Sequence, residues 1–477
     1  MRQIDIPAFL GNRPISLDRA LRSSKPSIVF YTITAWVLTL IFASSWIFYL
    51  SSGGGIQYHL DIDVYRQGAV AFLQGHAVYD VNFPVRYLDL PFTYPPFAAL
   101  VFAPFTWISL PAGMVILAYL TVVLMWWSVA LVIRSLFPGL SHLQAGLVSS
   151  WAMPLAALTQ PVRETIGFGQ VNIFLMALVV TDVLLTKPSK WRWTTGILTG
   201  MAAAIKLTPL VFGLYFLVRK EWRNAFTMGI AFIAWSSITW IVNPTAPVMY
   251  WTSTLFDTSR IGDASYASNQ SFQGFFARIL PEAVQKPAWD LAVLVAISLI
   301  GYGAFKINRT GAKRLPATSD SITQVVVLTL VSLLALQASP VSWSHHFVWL
   351  YPLFLISLVA AVRMTEPSNK RTGLWLSLML IVAQLFPANM LFPHDNGIER
   401  RLPLWTHILA EPYLLISAVI VITASVNPAC LLGLNPDSEK ATHTGWSRCV
   451  QVCAVLTIVG SLAAVLSPLY PEAFPPR

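Results

Sequence analysis

Residues 28–50 read IVFYTITAWVLTLIFASSWIFYL, and residues 111–136 read PAGMVILAYLTVVLMWWSVALVIRSL. The first run carries no charged side chain and the second only Arg134, near its end. A helix rises about 1.5 Å per residue and a bilayer's hydrocarbon core is about 30 Å thick, so about 20 apolar residues span it. Both runs are long enough. Working outward from them, further candidate spans fall near 143–160, 170–186, 225–243, 289–307, 322–338, 346–363, 373–390, 404–425 and 447–467. The expectation is an all-α polytopic membrane protein with about 11 crossings.

Composition agrees. Of 477 residues 56% are apolar and 11% charged, and the mean hydropathy is +0.63. Soluble proteins carry about 25% charged residues, so lipid must replace water over most of this surface. Eighteen tryptophans suit two interfacial aromatic belts. The net charge of +10 invites a nucleic-acid reading. Its basic residues, however, sit in short clusters between apolar runs, where the positive-inside rule accounts for them. No nucleic-acid partner is expected.

Residues 1–27 are polar and carry Arg2, Arg13, Arg19, Arg22 and Lys25. The run after them is too long for the core of a signal peptide. It reads as an uncleaved first helix with residues 1–27 in the cytoplasm. Basic loops around Lys187, Lys190 and Arg192, around Arg219, Lys220 and Arg223, from Lys306 to Arg314, from Arg363 to Arg371, and at Lys440 and Arg448 are assigned to the same side. The alternating connections, 52–93, 161–169, 244–288, 339–345 and 391–403, then lie outside, as does the C-terminus. No loop exceeds about 45 residues, too few for a separate soluble domain, so residues 1–477 are expected to form one membrane-embedded domain.

Two segments resist simple counting. Residues 98–108 are apolar but short and follow Tyr94-Pro95-Pro96; they read as an interfacial or membrane-dipping helix. Residues 194–218 lie between two basic loops, so both ends belong on one side. Lys206-Leu207-Thr208-Pro209 occupies the middle. Proline disfavours helix at the residue before it and removes a ladder donor. The reading is a re-entrant pair of half-helices with Lys206 near the apex, tolerated at membrane depth only where it lines a cavity. An intramembrane lysine is a functional hypothesis by default.

The polar motifs gather in the outer connections. Asp61 and Asp63 stand just beyond the first helix, where a carboxylate facing both water and a membrane cavity can act as general base toward a hydroxyl. The plain alternative is a pair of solvated or helix-capping acids. Asn269-Gln270-Ser271 with Arg278 has the chemistry to hold hydroxyls or a phosphate, and is equally an ordinary polar loop. His345 and His346 open a span. Neighbouring helix positions do not face each other, so one imidazole donating to a phosphate is a better reading than a chelating pair, with a satisfied interfacial histidine as the alternative. Arg163 and Glu164 precede Gly167-Phe168-Gly169-Gln170-Val171-Asn172, whose glycines read as a turn or close packing rather than a dinucleotide fingerprint. Cys430, Cys449 and Cys453 read as small core residues. No zinc spacing, HExxH, Walker loop or GxSxG occurs. No cofactor is implied, and isolated acids set no metal requirement.

Taken in order, DIDVYRQGA (61–69), LPFTYPPFAAL (90–100), GFGQVN (167–172), AAAIKLTPL (202–210), NQS (269–271) and SPVSWSHH (339–346) resemble glycosyltransferase family 87, a branch of the membrane-embedded GT-C superfamily. The resemblance implies an inverting enzyme of the plasma membrane with its active site on the extracytoplasmic side. It implies a polyprenyl-phosphate sugar donor and a glycolipid or lipoglycan acceptor. Mannose transfer to the 2-OH of a mannose in phosphatidylinositol mannosides or lipomannan is the leading activity; arabinofuranose transfer is the alternative. The family's catalytic aspartate corresponds to Asp61, with Asp63 a second candidate. His345, His346, Lys206, Arg163 and Arg278 are then the expected donor-phosphate ligands, and Tyr65, Arg66, Asn269, Gln270, Gln170 and Asn172 the expected substrate contacts. A lipid-linked sugar transporter or flippase is the competing class; the absence of an internal repeat and the long polar outer loops favour the enzyme.

Overall fold

The computed structural model describes residues 25–49, 55–86, 88–186, 192–390, 392–394, 397–435 and 444–466, with a strand pair at 5–6 and 15–16. The basic positions Arg2, Arg13, Arg19, Arg22, Lys187, Lys190 and Lys440 lie outside these residues. The described chain is helical apart from three two-stranded antiparallel pairs: Asp5–Ile6 with Ile15–Ser16, Phe48–Tyr49 with Gly55–Ile56, and Asn82–Val85 with Leu88–Pro91. The all-α expectation is corrected only by these.

Among the described residues seven helices are long and apolar enough to cross a membrane, or nine when two bent pairs each count once. The expected eleven also included 143–160 and 447–467. The first is the helix His142–Leu158, stopped at Thr159 ahead of Pro161. The second retains a shorter apolar core, Trp446–Leu462. One expected loop with the span after it, and one expected span, form bent helix pairs instead. Gln160–Phe168 meets Asn172–Leu185 at 115°, and Leu404–Ala410 meets Pro412–Val426 at 69°. The expected outer loop 161–169 is therefore mostly helix.

Burial separates centre from rim. In the most apolar stretch of Ala317–Ala338, 83% of residues are buried, against 17% in Ser27–Ser45 and Trp222–Val242 and 22% in Glu282–Arg314. The rim helices keep Phe30, Ile41, Phe226, Ile233, Leu291 and Leu294 exposed, which only lipid makes acceptable. At 33 residues, Glu282–Arg314 is about 50 Å long. It overshoots the hydrocarbon and carries Lys313 and Arg314 beyond it.

The helix Leu60–Leu73 follows the first span and packs on the short helix Pro96–Phe102 and the 3₁₀ turn Ala103–Trp107. Arg66 ties them by donating from Nε to the Phe105 carbonyl, 3.1 Å, and from Nη2 to that of Ile108, 3.4 Å. Trp107, exposed at the turn's end, is placed as an interfacial anchor.

Residues 196–219 form the re-entrant hairpin. Ile197–Ile205 rises beside Trp222–Val242 in the same direction; Lys206 is extended, at φ −148° and ψ 133°; a 3₁₀ turn at Thr208–Val211 leads into Phe212–Val218, which returns. Its ascending foot is fixed by Asp182, whose carboxylate accepts from the backbone N–H of Gly196 (2.8 Å) and Thr199 (3.0 Å) and from the Thr199 hydroxyl. Its returning foot is fixed by Arg219, which donates to Asn308 and Asp320 beside the basic 306–314 segment. Both feet thus share a side.

The ascending helix approaches its neighbour through glycine. A Cβ on Gly200 would lie 2.5 Å from the Met228 carbonyl oxygen and 2.7 Å from the Ala231 Cβ. Backbone cannot yield as a side-chain tip can. Gly200→Leu should therefore destabilise the fold by about 1–3 kcal/mol, read as a lower melting midpoint in detergent. An unchanged midpoint would mean the two helices part freely.

Candidate active site

One cavity of about 660 Å³ opens at the apex of the hairpin. Its wall takes Asp61 and Tyr65 from Leu60–Leu73, Tyr94 from the Thr93-Tyr94-Pro95 turn, and Gln170 from the bend between two helices. Lys206 comes from the hairpin apex, Arg260 from the 244–288 connection, and His345 and His346 from the turn before Leu350. Leu60, Val64, Leu207, Val211, Leu334, Ala335 and Ala338 supply an apolar side.

Asp61 is the carboxylate that reaches this space from its helix. Asp63, two residues on, points about 200° away around the helix. It accepts from the Tyr58 hydroxyl at 2.8 Å and from Gln67 Nε2 at 3.1 Å, and does not line the cavity. Asp61 Oδ2 accepts from Gln170 Nε2 at 2.7 Å. Burial pushes its pKa up to about 6, opposed by that hydrogen bond and by the charge of Lys206. A carboxylate so placed remains ionised at neutral pH yet is a stronger base than one in water.

Gln170 stands where it does because Gly169, at φ 71°, ends Gln160–Phe168 in the left-handed conformation. Gln170 N–H then bonds back to the Thr165 carbonyl, 2.9 Å, and the chain turns sharply into Asn172–Thr181. The glycine of GFGQVN is a turn device.

Lys206 Nζ lies 3.2 Å from Asn172 Oδ1 and 3.2 Å from His346 Nε2, and 5.4 Å from the centre of the Tyr94 ring. An ammonium has three N–H groups and no acceptor. His346 Nε2 therefore accepts, which places that ring's proton on Nδ1. One Lys206 N–H is left without a hydrogen-bond partner among the described residues. His345 stands perpendicular to His346, ring centres 4.7 Å apart, and both its nitrogens are buried without hydrogen-bond partners among the described residues. Its backbone is held from below, with the His345 carbonyl accepting from Asn172 Nδ2 (3.2 Å) and from the Thr165 hydroxyl (3.1 Å). Half-buried Glu164 accepts from the Ser344 hydroxyl and from Gln160 Nε2, fixing the start of the same turn. Arg260 adds a guanidinium whose Nε and Nη2 are buried and unpartnered among the described residues.

Sequence reasoning also pointed to residues that the fold uses elsewhere. Arg163 lies over the Trp46 ring at 5.5 Å, outside the cavity. Arg278 pairs with Glu411 in a buried salt bridge and donates to the carbonyls of Ser265, Tyr266 and Asn269. Asn269 clamps the 339–343 turn, donating to the Pro340 carbonyl and accepting from Ser342 N–H; Gln270 donates to the carbonyls of Ala267 and Ala410. These polar groups, with Arg66, are spent on loop architecture. Conversely, Tyr94 and Trp343 line the cavity and were not singled out as site residues. Tyr94 had a signal in TYPP, where two prolines fix the turn that presents it.

The family profile of glycosyltransferase family 87 matches residues 92–340, beginning after Asp61 and ending before the histidine pair. The polyprenol-phosphate-mannose-dependent alpha-(1-2)-phosphatidylinositol mannoside mannosyltransferase of Mycolicibacterium smegmatis is 34% identical over 82% of this chain and 87% of its own length. A second protein of that organism, the polyprenol-phosphate-mannose-dependent alpha-(1-2)-phosphatidylinositol pentamannoside mannosyltransferase, is 33% identical over 72% of this chain and 80% of its own. Among solved structures, ArnT from Cupriavidus metallidurans bound to undecaprenyl phosphate aligns over 94% of this chain and 81% of its own with a TM-score of 0.41 and 14% identity. With more than half the chain matched by the profile and relatives aligned across most of its length, this multi-pass membrane protein belongs to glycosyltransferase family 87.

Proposed function

We propose that the chain transfers a mannosyl residue from polyprenyl-phosphate mannose to the 2-OH of a mannose on a phosphatidylinositol mannoside or lipoglycan, at the outer face of the plasma membrane. The donor and acceptor classes follow the activities for which the two relatives above are named. The observation that carries the reading is one cavity with Asp61 on its wall and Lys206, His345, His346 and Arg260 around it. A base and a set of anion-stabilising groups are what displacement of a sugar from a phosphate requires.

In that reaction the acceptor oxygen bonds to the anomeric carbon as its proton passes to Asp61. The bond from that carbon to the phosphate oxygen breaks, and its electron pair leaves with polyprenyl phosphate. A single displacement inverts the anomeric centre, turning a β-linked donor into an α-linked product. The departing charge is met by the free N–H of Lys206, by His346 through Nδ1, by His345 and by Arg260. The apolar wall accommodates the proximal prenyl units, which need hydrocarbon while the sugar needs water.

The orientation rests on charge. The basic segments that remain described, around Arg219 and from Lys306 to Arg314, lie at the hairpin's feet, and the cavity lies at its apex. Counting His142–Leu158 and the C-terminal helix as crossings restores about eleven and puts the N-terminus inside. Exposed Ser253 and Thr318 then face opposite sides. On intact spheroplasts an impermeant thiol reagent should label Ser253→Cys and spare Thr318→Cys; the opposite pattern would invert the topology.

Lys206→Ala and His346→Ala should each weaken donor binding about ten- to a hundredfold, the value of about 1.5–3 kcal/mol for a hydrogen bond to a charged group. Equilibrium binding of polyprenyl phosphate to purified protein measures it. Wild-type affinity in both variants would remove them from the phosphate site.

The decisive experiment is single-turnover transfer from labelled polyprenyl-phosphate mannose to a phosphatidylinositol mannoside, with polyprenyl-phosphate arabinose as competitor. Asp61→Asn should fold, bind donor and lose about 10²–10⁴-fold in rate, while Asp63→Asn loses far less. In the wild type, the rate should fall below about pH 6, because a base with its pKa there is progressively protonated as pH drops. An Asp61→Asn enzyme keeping a tenth of the wild-type rate would end the assignment.

A further inference from the structure

Three groups from three separate elements converge behind Asp61, and none of them need touch substrate. Gln170 Nε2 donates to Asp61 Oδ2 at 2.7 Å. Gln170 Oε1 accepts from the Tyr65 hydroxyl at 2.9 Å and the Tyr94 hydroxyl at 3.2 Å, and those hydroxyls are 2.9 Å from each other. Asp61 Oδ1 has no protein partner among the described residues.

The two ends of a primary amide have nearly the same shape, so an isolated glutamine gains little by choosing one orientation. Here the choice is forced. With the amide turned over, Oε1 would face a carboxylate oxygen, and two acceptors would meet without a proton between them. The tyrosines complete that choice from the other side by donating O–H to Oε1. Their rings are themselves fixed. Tyr65 stacks on Phe102 with centres 4.3 Å apart and planes 8° from parallel, and Tyr94 stands edge-on to Tyr65 at 5.0 Å. Tyr65 follows Asp61 by four residues, so one helical turn puts both on the same face. All of these side chains except Asp61 are fully or almost fully buried.

We propose that Gln170 is the positioning residue of the base: its amide, oriented by Tyr65 and Tyr94, occupies Oδ2 of Asp61 and directs the acceptor's proton to Oδ1. The inference rests on Asp61 being the base. Occupying one oxygen has two consequences. The carboxylate cannot rotate, so its free lone pair keeps one direction for the incoming hydroxyl. The donated hydrogen bond also favours the ionised form in a site that burial makes hostile to charge. On proton transfer, the acceptor O–H bond breaks, Oδ1 takes the proton, and Oδ2 still accepts from Nε2 as a carbonyl oxygen. The amide therefore need not turn during the reaction.

The other charged and titratable groups facing this carboxylate are Lys206 from the hairpin, the paired tyrosines, His345 and His346 across the apex, and Asp257 and Arg260 on the far wall. The test must therefore read Asp61 itself. Its C=O stretch is identified as the infrared band that appears on acidification of the wild type and is missing from Asp61→Asn. In Gln170→Met, which keeps length and loses the donor, the midpoint of that band should rise by about one to two pH units. The plateau kcat should fall about ten- to a hundredfold through lost orientation, with KM for the donor unchanged. Tyr65→Phe/Tyr94→Phe keeps both rings and frees the amide; its midpoint should move the same way by a smaller amount. It carries the test if Gln170→Met does not fold. An unmoved midpoint, or a loss confined to KM, would overturn the proposal and leave Gln170 as packing or as a substrate contact. Failure of the underlying reading looks different: Asp61→Asn would keep its turnover while the band in Gln170→Met still shifted.

Discussion

A lysine ammonium fixed at the apex of a broken helix, with hydrocarbon around the structure that carries it, is the constraint to which the surrounding elements answer. The apex exists because Lys206 leaves the helical conformation three residues before Pro209, freeing backbone groups that a lipid-facing helix could not leave unpaired. Ammonium and irregular backbone must therefore be enclosed by protein. Ala317–Ala338 encloses them on one side and Asn172–Thr181 on another, and both are largely buried. Asn172 and His346 then take two of the three ammonium protons. A buried cation with one proton to spare, next to an open cavity, is incompletely compensated by the protein. That deficit is the physical basis of an anion site, since a charged ligand completes what the fold leaves unfinished.

The polar residues divide by where their partners are. Arg66, Arg278, Asn269 and the amide N–H groups of Gln270 donate to backbone carbonyls, and Arg278 also to Glu411, 133 positions away. Breaking a buried pair of that kind by removing one member costs about 3–5 kcal/mol. These groups are thus structural members that hold the 244–288 connection against the bend at Glu411. The cavity gathers groups left short among the described residues: Asp61 with one oxygen open, His345 with both nitrogens unpartnered, Arg260 with two unpartnered donors. An enzyme that bound its own polar groups completely would have nothing to offer a transition state; unpartnered polar atoms occur elsewhere in the fold as well, and what sets this site apart is that acid, imidazole and guanidinium share one open cavity.

That division also sets how much was legible in the sequence. The apolar runs gave the spans, because their length against the bilayer is a one-dimensional quantity. The hairpin was legible because proline after a lysine, between two basic loops, constrains both backbone and topology. Asp61 and Asp63 were not separable, since choosing between them requires the start and rotation of Leu60–Leu73. Arg278 and Arg260 show the limit most clearly. They lie in the same connection and carry the same charge, yet one meets a carboxylate from a distant helix break and the other lines the cavity with two donors unpartnered among the described residues. Only the three-dimensional closure of residues 244–288 on 404–426 decides which. The two bent pairs were read as a loop and a straight span because Gly169 and Glu411 interrupt runs whose composition is otherwise continuous.

One carboxylate base opposite a cluster of cations is also the economical arrangement for one inverting displacement. A second catalytic acid is needed when the leaving group must be protonated; a phosphate departs as a stable anion and needs only charge compensation. On the proposed reading, the work is split between two parts of the chain that move independently of one another in sequence: the outer helix bearing Asp61 and the hairpin bearing Lys206. Gln170 and Tyr94 lie between them, Gln170 bonded to Asp61 and Tyr94 facing Lys206 through its ring. Base and phosphate site are therefore built around one shared aromatic and one shared bend. The spacing an in-line displacement demands is then set by rigid packing at that bend rather than by flexible loops, which suits a step whose rate falls steeply with misplacement of the reacting atoms.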